Sequence, residues 1–455
     1  MAVQTDERDP AGRLGTIADP RPGRWVDTYD PEDTEQWARG GGRQLARRNL
    51  FFSIVAEFLG FTVWQLWSIS APFLLAAGTY GLTQDLVFWL IAVPNLVGAT
   101  LRFPYSFAVG RFGGRNWTII SALLLVVPCL GLVYVVYNPG TPFWLMLLLA
   151  ATAGFGGGNF ASSMSNISYF FPEREKGSAL GLNAAGGNIG VPVIQAVAPL
   201  VIVGGAALTT ARPAIALIPL SVLAAVLAWR FMDNLSDAKA DGGAWRLAGK
   251  DRHTWIMSFL YIGTFGSFIG YSSAFPSLIQ NQFPVIPIGL AFLGPLAGAL
   301  IRPVGGKLSD RVGGSIVTVA SFALLGLGAL GAILAISTGS ALLFFLSFVV
   351  LFLASGIGNG STYRMIPVIF RRGVQAGDRA ATVTAKRTAA ACIGIAAGIG
   401  AYGGFFIPRG FATSLGSFGS LVPALVALIG FYVVCILVTV VVYARRGALG
   451  MSERI

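Results

Sequence analysis

The stretch LVGATLRFPYSFAVGRFGG at 96–114 returns 200 positions later as LAGALIRPVGGKLSDRVGG at 296–314. The shift aligns Gly98 with Gly298, Arg102 with Arg302, Arg111 with Arg311, and Gly113 and Gly114 with Gly313 and Gly314. A second pair obeys the same offset: GGGNFASSM (156–164) against GIGNGSTYR (356–364), which superposes Gly156, Gly158 and Asn159 on Gly356, Gly358 and Asn359. Two separate matches at one offset identify an internal duplication.

Outward from this repeat, the chain separates into long apolar runs. A crossing of roughly 30 Å of hydrocarbon needs about 20 apolar residues. Twelve runs reach that length, near 50–76, 85–108, 117–137, 143–170, 178–203, 211–231, 254–280, 285–306, 315–336, 340–370, 381–405 and 419–444. Barrel strands would show ten-residue alternation, so these spans are helices. The longest charged break, MDNLSDAKADGGAWRLAGKDR at 232–252, divides them six and six. The expected fold is an all-α membrane protein with twelve transmembrane helices in two pseudo-symmetric six-helix bundles. The parts are an arm (1–49), a first bundle (50–231), a central loop (232–252), a second bundle (253–445) and a tail (446–455). Because span 2 matches span 8 and span 4 matches span 10, the halves are parallel repeats about an axis along the membrane normal, and substrate sits between them near the midplane.

Composition agrees. Of 455 residues, 55% are hydrophobic and 11% charged, against about 25% charged in a soluble protein. The net charge of +12 invites a nucleic-acid reading, but there is one His and the basic residues fall between apolar runs. A nucleic-acid binder would cluster them on one exposed face, so the expected surroundings are a lipid bilayer. One set of alternate connections holds the RQLARR end of the arm (43–48), Arg111, Arg115, Arg174, Lys176, the central loop, Lys307, Arg311, Arg371, Arg372, Arg379, Arg445, Arg446 and Arg454; the other holds only Arg212 and Arg409. The positive-inside rule places both termini in the cytoplasm. The polar arm is neither a signal peptide nor a targeting sequence, and it is expected to be mobile up to about Pro31. Cys129, Cys392 and Cys435 all fall inside spans as small hydrophobes, implying no disulfide or metal framework.

The arginines of the repeat carry the chemistry. A charge at mid-bilayer costs about 2.5–3.5 kcal/mol even on a lenient scale. Arg102 and Arg302 each precede a cytoplasmic arginine by nine residues, which places both about 13 Å inside the membrane. Glu57 is the only carboxylate clearly within a span. Uncompensated guanidinium groups select an anion, and their planar forks suit a planar oxyanion; the bland alternative is that both are structural, bonded to helix carbonyls. Arg364, whose repeat counterpart is Met164, is a third candidate, while Lys386 and Arg387 read as cytoplasmic-gate charges.

Neutral polar groups line the same depth. Asn159, Ser162, Ser163 and Asn166 share one face of span 4, and Asn359, Thr362 and Tyr363 echo them in span 10. Glycines crowd both spans and recur in span 5, including Gly186 and Gly187, where close helix packing explains most of them. Tyr261, Phe265 and Phe268 form an aromatic stripe on span 7, either packing or a wall for a planar anion. The turns built on Gly110, Arg111, Gly113 and Arg115, and on Gly306, Asp310, Arg311 and Gly313, resemble the cytoplasmic loop motif of the major facilitator superfamily. Their basic residues can engage helix C-termini and a neighbouring carboxylate, or merely satisfy the positive-inside bias. The single His253, at the start of span 7, has no cluster around it and reads as an interface residue.

The run GFGGGNFASSMSNISYFFPEREKGSALGLNAAGGNIG (154–190) and its partner SGIGNGSTYRMIPVIF (355–370) resemble the two signature regions of the nitrate/nitrite porter family of the major facilitator superfamily. GATLRFPYSF (98–107), YIGTFGSFIGYS (261–272) and the arm, which is similar to that of NarK-type bacterial members, extend the resemblance over nearly all the chain beyond residue 25. It implies nitrate and nitrite as substrates, with Arg102 and Arg302 as paired substrate arginines, Asn183 as the span 5 asparagine, Tyr261 and Phe265 as span 7 contacts, and Phe155 as the span 4 ring over the anion. No cofactor, metal or catalytic base is required, so no enzyme activity is expected, and a monomer suffices. The resemblance favours nitrate/nitrite antiport; proton symport with Glu57 as the titrating group, or an anion channel, stays open. Glu57 is either that group or a fixed partner for a neighbouring arginine.

Overall fold

The computed structural model describes residues 17, 20–202, 207–238, 241–372, 374–375 and 378–444. The expected tail at 446–455, Arg445, the start of the arm and the Arg379 side chain lie outside the described residues. Eleven helical stretches among the described residues are long and apolar enough to cross a membrane. They are span 1 (Gly42–Ala76), span 2 (Gln84–Phe112), span 3 (Gly114–Tyr137), span 4 (Phe143–Phe170), span 5 (Glu173–Val201), span 6 (Leu208–Phe231), span 8 (Ile288–Val312), span 9 (Gly314–Thr338), span 10 (Ala341–Phe370), span 11 (Ala380–Phe418) and span 12 (Val422–Ala444). Span 7 comes in three pieces: a helix at Arg252–Tyr261, a π-helical turn at Ile262–Gly266, and a helix at Ser267–Gln282. Such turns inside α-helices are frequent at functional sites.

Within each half glycines let spans touch backbone to backbone. A Cβ on Gly157, whose repeat counterpart is Ile357, would lie 2.9 Å from the Gly98 Cα, and one on Gly356 would lie 2.2 Å from the Gly298 oxygen. Span 2 is thereby drawn against span 4, and span 8 against span 10. The turns after spans 2 and 8 pivot on Gly113 and Gly313, with φ of +85° and +97°. Glycine alone adopts such angles without strain. Gly114 is also sterically required, since a Cβ there would stand 1.8 Å from the Asn166 amide oxygen.

The arm departs from the expectation of mobility up to Pro31. Trp25–Val26 pairs in parallel with Asn234–Leu235 of the central loop. The buried Asp233 carboxylate accepts hydrogen bonds from Arg24 (2.6 Å), Arg48 (2.7 Å) and Asn49 (2.8 Å). A buried charge needs this many donors; Arg24 lies ahead of span 1, whereas Arg48 and Asn49 belong to its first helix. The first span also begins at Gly42, eight residues before the expected 50, so the RQLARR segment is helical. The central loop contains a short helix, Gly242–Lys250, whose Trp245 packs on Phe107 with ring centroids 4.9 Å apart.

The two halves are joined on the face away from the termini. Gln65 and Asn95 hydrogen-bond to Ser273 at 3.1 and 3.0 Å, Gln84 to Ser277 at 2.9 Å, and Gln195 donates to the Ser272 carbonyl at 2.7 Å. Arg409 of span 11 pairs with Asp85 of span 2 at 2.9 Å and lies 4.0 Å above the Trp89 ring. On the terminal face the charged contact between halves is looser, Lys386 to Glu173 at 3.8 Å. The halves are thus more tightly joined on the face away from the termini.

Candidate functional site

Arg102 lies midway along span 2 and is 1% exposed. Its Nε donates to the Gly157 carbonyl of span 4 at 3.2 Å, and one terminal nitrogen donates to the Ala397 carbonyl of span 11 at 3.0 Å, across the boundary between halves. The other terminal nitrogen has no hydrogen-bond partner among the described residues. Three rings surround the guanidinium: Phe160 at 4.7 Å, Phe265 at 4.9 Å and Trp64 at 5.5 Å. Phe160 and Phe265, one from each half, stack with their planes 28° apart and centroids 6.5 Å apart. The Arg102 guanidinium thus lies against rings contributed by both halves.

Arg302 is partly buried and donates to the Tyr261 hydroxyl at 3.3 Å, while its guanidinium lies 5.1 Å from the Tyr363 ring. The π-helical turn orders the span 7 rings into a ladder, with Tyr261 on Phe265 at 5.2 Å and Phe265 against Phe268 at 6.4 Å. Arg102 interacts electrostatically with Arg302, Glu57, Tyr261 and Tyr363. The two repeat arginines therefore share one site whose walls are aromatic.

Several expected residues take other places. The span 4 ring beside Arg102 is Phe160; Phe155, five residues earlier, is turned about 140° around the helix. Asn183 directs its amide donors at Glu57 Oε2 (2.7 Å) and the Ser163 hydroxyl (2.6 Å), because the buried carboxylate demands them. Glu57 forms no direct ion pair with an arginine among the described residues, although Arg102 and Arg302 act on it electrostatically. Ser163 also donates to it, and Ser53 joins Ser163 at 2.9 Å. Arg364 is no membrane-interior cation: it is half exposed and paired with the equally exposed Asp310 of the span 8 turn.

The remaining candidates support rather than line the site. Ser162 bonds its own helix at the Asn159 carbonyl, 3.0 Å away, and Thr362 likewise bonds the Gly358 carbonyl at 2.8 Å. Asn159 packs against Gly60, Asn166 lies under the Gly113–Gly114 turn, and Asn359 is buried. Gly186 and Gly187 make room for Ile54 and for Glu57 Oε1, which a Cβ would meet at 2.4 Å in each case. Arg115 donates to the Trp229 carbonyl in the last turn of span 6 at 2.7 and 2.9 Å, whereas Arg111 and Arg311 are exposed. Lys386 pairs with Glu173, and Arg387 reaches Asp241 at 3.8 Å. His253 hydrogen-bonds Tyr443 at 3.1 Å. Phe160 was missed because its repeat counterpart is Gly360; its position directly after Asn159 in the duplicated segment was the available signal.

Two parallel six-span halves enclosing a cationic, aromatic, midplane site define a secondary carrier. The family model described as Major Facilitator Superfamily matches residues 50–399. The chain is 43% identical to the nitrate/nitrite transporter NarU of Salmonella typhimurium, over 92% of this chain and 96% of that protein. It is 36% identical to the probable nitrate/nitrite antiporter NarK2 of Thermus thermophilus, over 94% and 98%. A solved D-xylose–proton symporter superposes with a TM-score of 0.66 at 14% identity, covering 87% of this chain and 97% of that one. The chain belongs to the nitrate/nitrite porter family of the major facilitator superfamily, a family of transporters.

Proposed function

We propose that the protein carries nitrate and nitrite across the cytoplasmic membrane by alternating access, as a nitrate/nitrite antiporter, with both termini in the cytoplasm and a single chain as the working unit. The observation that carries this is the unpartnered Arg102 nitrogen beside the Phe160 and Phe265 rings, one from each half. A planar univalent anion can meet Arg102 and Arg302 through in-plane oxygens as these rings part to admit it. The names of the similar proteins support the same substrates.

The geometry then performs the cycle as follows. Arg102 and Arg302 repel each other when the site is empty, and an anion between them cancels that repulsion. Phe160 from one half and Phe265 from the other meet the two faces of the substrate, so loading draws the halves together. The far-side hydrogen bonds at Ser272, Ser273 and Ser277 then break as the halves rock and the opposite face closes.

Nitrate protection against thermal unfolding tests the site. Bound ligand raises the unfolding midpoint in proportion to the logarithm of its concentration over Kd. Wild-type protein is expected to gain stability with nitrate, and chloride at equal ionic strength to give less. Equal effects of both salts would overturn the site.

A further inference from the structure

Spans 2 and 11 run antiparallel along the seam between the halves, in one register. The Thr100 and Tyr402 hydroxyls meet at 3.0 Å, Arg102 donates to the Ala397 carbonyl at 3.0 Å, and a Cβ on Gly398 would stand 2.8 Å from the Phe103 ring. One helical turn nearer the termini, Phe107 and Gly394 form the next opposed pair, since each lies four residues from its predecessor in that register. At that level a third group enters the seam. The indole of Trp245, from the central-loop helix Gly242–Lys250, has its centroid 4.9 Å from that of the Phe107 ring, and a Cβ on Gly394 would stand 3.1 Å from its Cζ2. Trp245 thus touches both halves at once.

The helix that carries this indole is fastened to the second half. It packs on span 11 with Ala244 and Ala248 buried, its last turn accepts a hydrogen bond from the Trp255 indole of span 7 at the Gly249 carbonyl (2.9 Å), and its capping Asp241 lies 3.8 Å from Arg387. The start of the same loop is fastened to the first half, through Asp233 to Arg48 and Asn49 of span 1. A loop anchored on both halves, with one ring projecting across the seam, is placed to respond to their relative motion.

We infer that Trp245 is a removable wedge: it holds spans 2 and 11 apart on the terminal face, and it leaves the seam when that face closes and Phe107 seats directly on Gly394. The inference rests on the rocking cycle proposed above. Phe103 on Gly398 shows the form of the direct contact, a phenyl ring laid on a residue without a side chain. Gly394 offers the same seat one turn away, but the indole occupies it. Carbon atoms in contact need about 3.5 Å, so the indole and the Phe107 ring cannot share the seat, and the two compete for it. The wedge contacts exist only while the terminal face is apart, so they stabilise that arrangement alone and shift the balance between the two facing states by that difference. An indole that merely tied its helix to span 11 would travel with the second half and leave the balance unchanged.

The test is a distance across the terminal face of the full chain in lipid. Gly177→Cys on span 5 and Lys307→Cys on span 8 place spin labels at two exposed positions, one on each half, and the native Cys129, Cys392 and Cys435 are buried. Pulsed electron resonance then reads the populations. The otherwise unaltered labelled chain is expected to show a long and a short separation whose balance moves with nitrate. Trp245→Ala is expected to raise the ratio of short to long at least threefold, whereas Trp245→Phe, which keeps an aromatic layer in the seam, stays near the unaltered ratio. Gly394→Ala, which obstructs the seat, is expected to deplete the short separation both alone and on top of W245A. The inference is overturned if W245A leaves the ratio unchanged or lowers it, if W245F raises it as far as W245A does, or if G394A leaves the short population intact. A single separation in the labelled but otherwise unaltered chain, unmoved by nitrate or nitrite, contradicts the rocking cycle itself and takes the wedge with it.

Discussion

Arg102 is held by two carbonyls and three rings, which leaves one nitrogen for a ligand. Lysine cannot reproduce that, because it lacks the planar fork that spends two donors on the scaffold and keeps another free. Arg102→Lys and Arg302→Lys are each expected to abolish nitrate protection against unfolding while leaving expression and monodispersity intact. Phe160→Ala should weaken nitrate affinity roughly tenfold by removing one ring of the pair beside Arg102 and one of its cation–π partners, whereas Phe155→Ala should change it less than twofold; calorimetric titration separates them. The paired arginines were legible because both depth and repeat symmetry are written in the sequence. Phe160 was not, since the repeat puts glycine opposite it, and neither was the Glu57–Asn183 bond, whose partners are 126 positions apart.

Among the elements, span 7 and the arm depart most from what periodicity predicts. The stripe Tyr261, Phe265, Phe268 reads as one face of a regular helix, yet a π-helical turn lies beneath it. That turn packs on span 11 at a contact with no spare room: a Cβ on Gly403 would stand 2.3 Å from the Gly266 Cα. Gly403→Ala is expected to cost about 1–3 kcal/mol by overpacking and to lower the unfolding midpoint, read in the absence of nitrate. The arm is legible only as polar sequence, because two-residue strands leave no hydrophobic pattern to read. Its docking depends on Asp233, so Asp233→Ala should speed tryptic cleavage after Arg24 several-fold, followed by mass spectrometry; an unchanged cleavage rate would show that the carboxylate does not hold it.

At the scale of the whole molecule, the 200-residue duplication sets the architecture, since it dictates two parallel halves and a site between them. Eleven of the twelve expected runs are single long apolar helical stretches among the described residues, while the expected span 7 is assembled from three shorter pieces. The pairing of charges at the rims was not legible: Arg409 with Asp85 and Arg364 with Asp310 join residues on different spans, and linear sequence carries no signal for such contacts. With these rim pairs made, Arg102 and Arg302 are the cations of the proposed anion site, through which substrate charge is expected to control rocking. The most direct measurement is counterflow in vesicles of the reconstituted wild-type protein with no pH gradient, comparing nitrate uptake with and without nitrite inside. Internal nitrite is expected to accelerate initial uptake at least several-fold, with R102K and R302K silent in both conditions. A wild-type rate indifferent to internal nitrite would contradict exchange through a shared arginine site.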